Sequence, residues 1–227
     1  MPKVEIFETK DGSHSLLLTD MNETYHSTHG AMTEAQYVFL SKGLDHCRKL
    51  FPDKEVIKIL EIGFGTGLNA WLTACKVQGE SYEVEFASLE KHPLSKEIID
   101  QLNYTDRMGT VDAKELYDKV HQADWDQLVR ISTAFSLHKM EGDILNLPLA
   151  EGYFDLIYFD AFAPSKQPEM WSQDILKRMF AALVKGGVLV TYCAQGQFKR
   201  DLKTVGFETE ELPGPPGKKE MTRAVKP

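Results

Sequence analysis

Residues 56–66 read V-I-K-I-L-E-I-G-F-G-T, and Gly67 carries the chain on into L-N-A-W-L. Apart from Lys58 and Glu61 the first seven residues are aliphatic and largely β-branched, the pattern of a strand buried on both faces. The rest of the stretch sets Gly63, Gly65 and Gly67 where strand must turn into helix. Glycine takes positive φ without strain and leaves its amide bare to a ligand. The helix expected over 67–77 adds unpaired N–H groups and a positive dipole end. The spacing is G-x-G-x-G. A dinucleotide turn needs G-x-G-x-x-G/A, and position 68 is Leu68, which argues against that ligand. Glu61, two residues before the first glycine, has nothing to offer an anionic pyrophosphate. An acid there suits a cationic, phosphate-free nucleoside, and S-adenosylmethionine meets that description.

From residue 56 onward strand and helix patterns alternate, the order of a parallel α/β sheet. Strands are expected over 82–89, 135–140, 153–159 and 187–193, and helices over 93–102, 112–120, 173–184 and 197–204. An antiparallel pair over 207–212 and 221–226 closes the pattern around P-G-P-P-G-K-K. That order is the one of class I S-adenosylmethionine-dependent methyltransferases, with a Rossmann-like, doubly wound, mostly parallel sheet and a final hairpin. Residues 53–227 are expected to form this unit, and 1–52 an extension packed on it. In the extension, 4–8 and 15–19 read as a hairpin around Lys10-Asp11-Gly12. A polar loop follows over 20–30. T-E-A-Q at 33–36 has capping-box spacing, which predicts a helix from Thr33 to about Lys49 with Tyr37, Val38, Leu40 and Leu44 inward.

Four features fall at C-terminal strand ends: the glycine turn, Glu90, Asp143 and Asp160. In an open α/β sheet those ends share one crevice. Glu90 lies 23 residues beyond Gly67, near where doubly wound folds set a carboxylate on ribose hydroxyls. Asp143 reads equally as a rim ligand and as a cap ahead of Ile144. Asp160 is left over for chemistry. Methyl transfer to nitrogen needs the lone pair in line with the methyl–sulfur bond, which is mainly a matter of positioning. A carboxylate can accept an N–H from the amine and help it shed the proton that an alkyl amine, with a pKa of about 10, carries at neutral pH. The plainer reading of Asp160 is a buried acid capping a turn. Phe162 and Trp171 flank it, as walls that stack on a base or as core anchors.

The chain has 227 residues, 42% hydrophobic and 26% charged, enough for one sizeable core. Its net charge of −8 argues against a broad nucleic-acid surface. Only a local patch remains, from Lys218, Lys219, Arg223 and Lys226 with Lys166 and Lys199-Arg200. Cys47, Cys75 and Cys193 are odd in number and far apart, as structural thiols in a reducing compartment are. No apolar run approaches the ~20 residues of a membrane span, and residues 1–10 lack a signal-peptide core, so a cytoplasmic location is expected. His26 and His29 form an H-x-x-H pair with no third ligand in view, so no metal is expected.

The blocks E-I-G-F-G-T-G-L-N at 61–69, F-D-L-I-Y-F-D-A-F-A-P-S-K-Q-P-E-M-W at 154–171 and G-P-P-G-K-K-E-M at 214–221, with E-A-Q-Y-V-F-L at 34–40, resemble the MnmC-type tRNA methyltransferase domain. The resemblance runs from about Tyr25 onward and is most specific over 160–171. It implies S-adenosylmethionine-dependent methylation of the aminomethyl group of 5-aminomethyl-2-thiouridine, at the wobble position in the anticodon of tRNA. It implies Gly63, Gly65 and Gly67 at the methionine part of the cofactor, with Glu61, Phe64, Thr66 and Asn69 of the same motif. Glu90 is implied on the ribose, Asp143 near adenine and Asp160 at the substrate amine. Phe162, Pro164, Lys166, Trp171, Lys218 and Lys219 are expected on the substrate side. Bifunctional members continue into a flavin-dependent oxidase that removes a carboxymethyl group. With Pro227 as its last residue, this chain is expected to perform only the final methylation, on an aminomethyl precursor supplied by another route. Two other activities fit less fully: methylation of a free small-molecule amine, which the net charge favours, and a spermidine-synthase-like aminopropyl transfer. A non-enzymatic nucleotide-binding module ranks last, because it leaves Asp160 unexplained.

Overall fold

A computed structural model of the chain describes residues 3–227. The expected hairpin forms as β1 (Val4–Glu8) and β2 (His14–Leu18), and an unsignalled strand, β3 (Glu23–Thr24), pairs with β2. The turn between β1 and β2 also caps the next helix. Asp11 Oδ2 accepts the Thr33 N–H at 2.9 Å and the Thr33 hydroxyl at 2.8 Å, while Ser13 Oγ accepts the Met32 N–H at 3.2 Å. These N–H groups belong to a helix first turn, which has no intrahelical partner for them. The capping box expected at Thr33 is therefore not used; the helix starts at Ala31, and its N-cap Gly30 offers no side chain. Burial alone would raise the Asp11 pKa, but the donors from Ser13 and Thr33 outweigh it and hold the carboxyl well below its usual range.

That helix runs as α1 (Ala31–Ala35), a π-helical stretch (Gln36–Leu44) and α2 (Asp45–Leu50). Gly43 lets the π stretch lie close on the sheet: a Cβ there would stand 3.0 Å from Val190 Cγ2 and 3.2 Å from Tyr158 Cε1. Val38, Leu40 and Leu44 are buried as expected. Tyr37 is only half-buried, with its hydroxyl donating to Pro213 O at 3.0 Å.

The rest of the chain forms β4 (Val56–Ile62), α3 (Leu68–Lys76), β5 (Glu83–Glu90), α4 (Lys96–Ile99), α5 (Tyr104–Met108), α6 (Val111–Gln122), β6 (Leu128–Ser132), β7 (Phe135–Glu141) and β8 (Phe154–Phe159). After a 3-10 turn (Pro168–Trp171) come α7 (Gln173–Ala182), β9 (Leu183–Thr191), α8 (Gly196–Val205), β10 (Glu208–Pro213) and β11 (Glu220–Val225). Strand order is β10-β11-β9-β8-β4-β5-β7-β6. The central five are mutually parallel, and β11, β10 and β6 join antiparallel. This is the doubly wound, mostly parallel sheet with a closing hairpin that the sequence predicts.

All six residues of β8 are buried, because both faces are covered. The N-terminal helix, α3 and α6 pack on one face and α7 and α8 on the other. Three expectations change in detail. The helix expected over 93–102 forms only as α4, and α5 follows it. Strand β6 arises where the sequence has no period and pairs with the free edge of β7, with a register break between Arg130 and Ser132. Strand β9 starts earlier than expected, and its register against β8 breaks between Phe154 and Leu156, so that Phe154 faces Leu183 but Leu156 faces Val188. The three cysteines are free, and burial pushes Cys47 and Cys75 up to about 12. Among the described residues no helix is long and apolar enough to cross a membrane.

Candidate active site

The chain leaves β4 toward β5 and β7, then returns to place β8 on the other side of β4. A crevice opens outside the carboxyl ends at such a reversal. Here it holds a cavity of about 610 Å³, within the ~300–1,000 Å³ usual for small-molecule sites. The glycine turn is its floor. Gly63, Gly65 and Gly67 have φ of 94°, 51° and 71°, values that side chains resist. A Cβ on Gly63 would stand 2.8 Å from Asp160 O, and one on Gly65 3.2 Å from Tyr25 Cδ1.

Three carboxylates reach the cavity from neighbouring strand ends. Glu90, closing β5, accepts the Gly65 N–H at 3.0 Å and the His92 N–H at 2.8 Å. Asp143, two residues past β7, pairs with Lys91 Nζ at 2.8 Å and caps the Leu145 N–H at 2.9 Å. It is therefore a rim residue and a turn cap at once, with the Lys91 hydrogen bond lowering its pKa. Asp160 follows β8, and its Oδ2 accepts Asn69 Nδ2–H at 2.9 Å. It opens onto the cavity but is enclosed by protein elsewhere. That loss of water, reinforced by the Glu34 carboxylate, raises its pKa to about 7 against the opposing pull of Asn69 and Lys218.

The walls come from the extension and from the β10–β11 turn. Tyr25 stands edge-on to Phe162, ring centres 5.0 Å apart. His26 sits between Ser15 Oγ, 3.2 Å from Nδ1, and Thr66 Oγ1, 3.5 Å from Nε2. Burial lowers its pKa to about 4, so it is neutral. Lys218 places its ammonium 2.6 Å from Glu34 Oε1 and 3.8 Å from the Tyr192 ring centre. Among the described residues no group of three or more His, Cys, Asp or Glu side chains is placed to hold a metal ion.

Of the residues singled out from the sequence, Gly63, Phe64, Gly65, Thr66, Asn69, Glu90, Asp143, Asp160, Phe162 and Lys218 line the cavity. Six others do not. Glu61 is wholly buried beneath the turn, where Ser88 Oγ donates to it. Gly67 shapes the turn from behind: its N–H is given to Phe64 O at 2.8 Å, and a Cβ would strike His121. Trp171 is a core anchor, edge-on to Phe159 and Phe198, and its Nε1–H holds Phe162 O at 2.8 Å. Lys166 ties the same loop to the extension through Met21 O at 2.6 Å. Pro164 lies in that loop outside the cavity, and Lys219 is exposed on the β10–β11 turn. The basic cluster is largely paired in place: Lys199 with Glu211 and Glu220, Arg223 with Glu210. Tyr25, Glu34 and Tyr192 also line the cavity; Glu34 opens the E-A-Q-Y-V-F-L block, but nothing in the sequence assigns any of the three to the site.

Charge decides which ligand the cavity suits. Glu23, Glu34, Glu90, Asp143, Asp160 and Glu169 face it against Lys91 and Lys218, and both lysines are already paired. Pyrophosphate would be repelled. A cationic sulfonium nucleoside fits, although the glycine amides are not left bare for it as expected: the N–H groups of Gly63, Gly65 and Gly67 go to Leu89 O, Glu90 and Phe64 O.

Comparison with known proteins bears on this ligand. Residues 111–227 match a family described as S-adenosyl-L-methionine-dependent methyltransferase. The tRNA 5-methylaminomethyl-2-thiouridine biosynthesis bifunctional protein MnmC of Cupriavidus metallidurans is 33% identical over 213 residues, covering 89% of this chain and 31% of that protein. Its namesake from Hydrogenovibrio crunogenus is 30% identical over 217 residues, with 89% and 31% covered. The chain thus spans 31% of the length of either relative. MnmC2 from Aquifex aeolicus shares the fold with a TM-score of 0.80 at 24% identity, over 100% of this chain and 71% of its own. Spermidine synthase from Thermotoga maritima shares it with a TM-score of 0.59 at 17% identity, over 100% and 70%. Asp143, Asp160 and Lys218 all fall inside the matched span 111–227, and by that match the chain belongs to the family of S-adenosyl-L-methionine-dependent methyltransferases.

Proposed function

We propose that this methyltransferase acts on the primary amine of 5-aminomethyl-2-thiouridine at the wobble position of tRNA, yielding the methylaminomethyl group. Residues 53–227 are the methyltransferase unit in this reading, and 1–52 an extension that walls its acceptor side. A tRNA substrate agrees with a cytoplasmic location and with the names of the curated relatives. One observation carries the chemistry: Asp160 at the cavity floor has its pKa raised to about 7. An alkylammonium must lose its proton before its lone pair can attack. Passing that proton from a pKa of about 10.4 to an ordinary carboxylate is uphill by roughly 9 kcal/mol, and to a carboxyl near 7 by roughly 5 kcal/mol. The environment of Asp160 thus removes about 4 kcal/mol from the deprotonation step.

The remaining residues orient and exclude. Bound S-adenosylmethionine supplies an electrophilic methyl on a sulfonium. Glu90 holds the ribose hydroxyls, the backbone of Gly63 and Gly65 lies along the methionine part, and Asp143 faces the base. Phe64, Thr66 and Asn69 complete the donor side. Tyr25 and Phe162 close over the acceptor and keep water from it, and Lys218 holds Glu34 in place beside Asp160. Exposed Lys219 is available to a phosphate.

The test is methyl transfer from labelled S-adenosylmethionine to tRNA lacking the modification, followed by digestion to nucleosides. Label in the wobble uridine is the expected result. Label in free alkyl amines with none in tRNA refutes the tRNA reading and selects a small-molecule amine methyltransferase, which the net charge of −8 and the paired basic residues would then explain.

A further inference from the structure

Lys218 is itself a primary alkylammonium, and its place in the cavity shows which groups such a cation chooses there. Its Nζ stands 2.6 Å from Glu34 Oε1 and 3.8 Å from the centre of the Tyr192 ring. A carboxylate on one side and an aromatic face on another are strong partners for an ammonium where water is scarce. Both partners are fixed from outside. Glu34 Oε2 accepts the Ser27 N–H at 2.9 Å, and the Tyr192 hydroxyl donates to the carbonyl of Ala161, the residue after Asp160, at 2.8 Å. Lys218 is held less firmly. Glu34 Oε1 has no hydrogen-bond partner, so its approach to Lys218 is a charge contact without hydrogen-bond alignment. The Glu34 side chain is only 8% exposed but that of Lys218 is 29% exposed, and its long flexible stem can carry the ammonium out to solvent.

Glu34 is not stable there alone, because a buried carboxylate stripped of its cation is strongly disfavoured. Asp160 is close enough that Glu34 raises its pKa while Lys218 lowers it. A ligand that dislodges Lys218 must therefore bring a positive charge of its own, and an alkylamine acceptor does. We propose that Glu34 and the face of Tyr192 form the subsite for the acceptor's ammonium, and that Lys218 occupies it as a counter-ion until the acceptor takes its place. The proposal rests on Asp160 being the acceptor-side carboxylate. Exchange of one primary ammonium for another leaves the charge of the site unchanged and sets the incoming nitrogen beside Asp160, which then receives its proton. Glu34 and Tyr192 thereby determine specificity: a neutral group in the same place, such as a hydroxyl, leaves Glu34 without a cation.

Benzylamine, an aminomethyl group on a flat ring, tests this without tRNA. Its binding is measured by calorimetry with S-adenosylhomocysteine in place, so that no methyl moves. Lys218→Met should bind it roughly tenfold more tightly than the parent protein, and Glu34→Gln, which keeps the Ser27 hydrogen bond, roughly tenfold more weakly. Benzyl alcohol should bind all three proteins alike; shifts that follow those of benzylamine mean a change of pocket shape and overturn the proposal. Weaker binding of benzylamine by Lys218→Met, or no binding by that variant and the parent, also overturns it. So does a Glu34→Gln variant that loses affinity for S-adenosylmethionine, because the subsite then serves the cofactor's own ammonium. Displacement itself is read on the unsubstituted protein, whether or not the variants fold. With ¹³C-labelled lysine, the Lys218 Cε resonance should carry an upfield ring shift from Tyr192 and lose it as benzylamine saturates the site. A ring shift that persists at saturation refutes the exchange. None of these readouts uses tRNA, so a failed tRNA assay beside a displaced Lys218 refutes the tRNA substrate and leaves the ammonium subsite standing.

Discussion

Asp160→Asn should make the protein more stable while it makes it inactive. Burial raises the Asp160 pKa from 3.8 to about 7, so the folded state holds this proton more tightly than the unfolded chain does. The sign follows from linkage: the contribution to stability is complete below pH 3.8 and is lost as pH rises through about 7. At 1.36 kcal/mol per unit, the full loss is about 4 kcal/mol, an upper bound because cavity water screens the open side of the carboxylate. Most of it, about 3 kcal/mol, falls between pH 5 and pH 8. Asparagine keeps the shape, accepts the Asn69 N–H and never ionises. The melting temperature of the variant relative to the parent should therefore rise between those two pH values by roughly 6–12 °C, taking about 2–4 °C per kcal/mol for a chain of this size. Thermal unfolding of both proteins at both pH values, without cofactor, measures it. A difference that does not change with pH means that Asp160 titrates in the usual carboxylate range, and the argument from proton transfer then fails with it.

Three other outcomes are expected. Glu90→Gln should weaken S-adenosylmethionine binding by about tenfold, the worth of one hydrogen bond to a charged acceptor, and lower the melting temperature of the free protein slightly, because the amide keeps one oxygen for the Gly65 and His92 N–H groups that the carboxylate now shares between two; calorimetry and a thermal melt check the two halves. Trp171→Ala empties a buried site among Phe159 and Phe198 and should cost about 3–5 kcal/mol in denaturant unfolding, and a loss below 1 kcal/mol would contradict its place in the core. Lys219→Glu should weaken tRNA binding and flatten its dependence on salt by roughly one phosphate contact while cofactor affinity stays the same, and an unchanged salt slope removes Lys219 from the tRNA surface.

What could be read from the sequence was local. The run V-I-K-I-L-E-I and the fully buried β8 announce themselves by composition, and three glycines at alternate positions announce a turn, because strand burial and backbone φ are set by near neighbours. Glu61 shows the limit. Its position in the motif was legible, but strand alternation turns it under α3 toward Asn69 instead of up into the crevice. The Thr33 capping box met its spacing rule and lost to Asp11, 22 residues away, which only the folded hairpin brings near. The basic tail looked like a patch because charge is clustered along the chain there. Antiparallel pairing of β10 with β11 and the neighbouring α8 set Glu210, Glu211 and Glu220 against it. Tyr25, Glu34 and Tyr192 meet only through tertiary structure, so even the quoted E-A-Q-Y-V-F-L block did not show that Glu34 reaches the cavity.

The cavity walls also fix an order of assembly. The floor is built within residues 56–160, its longest closures being Asn69 on Asp160 across 91 positions and the pairing of β4 with β8. The acceptor wall depends on long closures: Lys166 on Met21 across 145 positions, Tyr37 on Pro213 across 176, Arg223 on Lys42 across 181. Such closures lose chain entropy before any contact compensates for it, and they form slowly. On the ribosome, Glu34 waits beside a growing sheet until residue 218 has been made and can neutralise it. The extension and the β10–β11 turn, which wall the cavity, are therefore the last parts of it to come together.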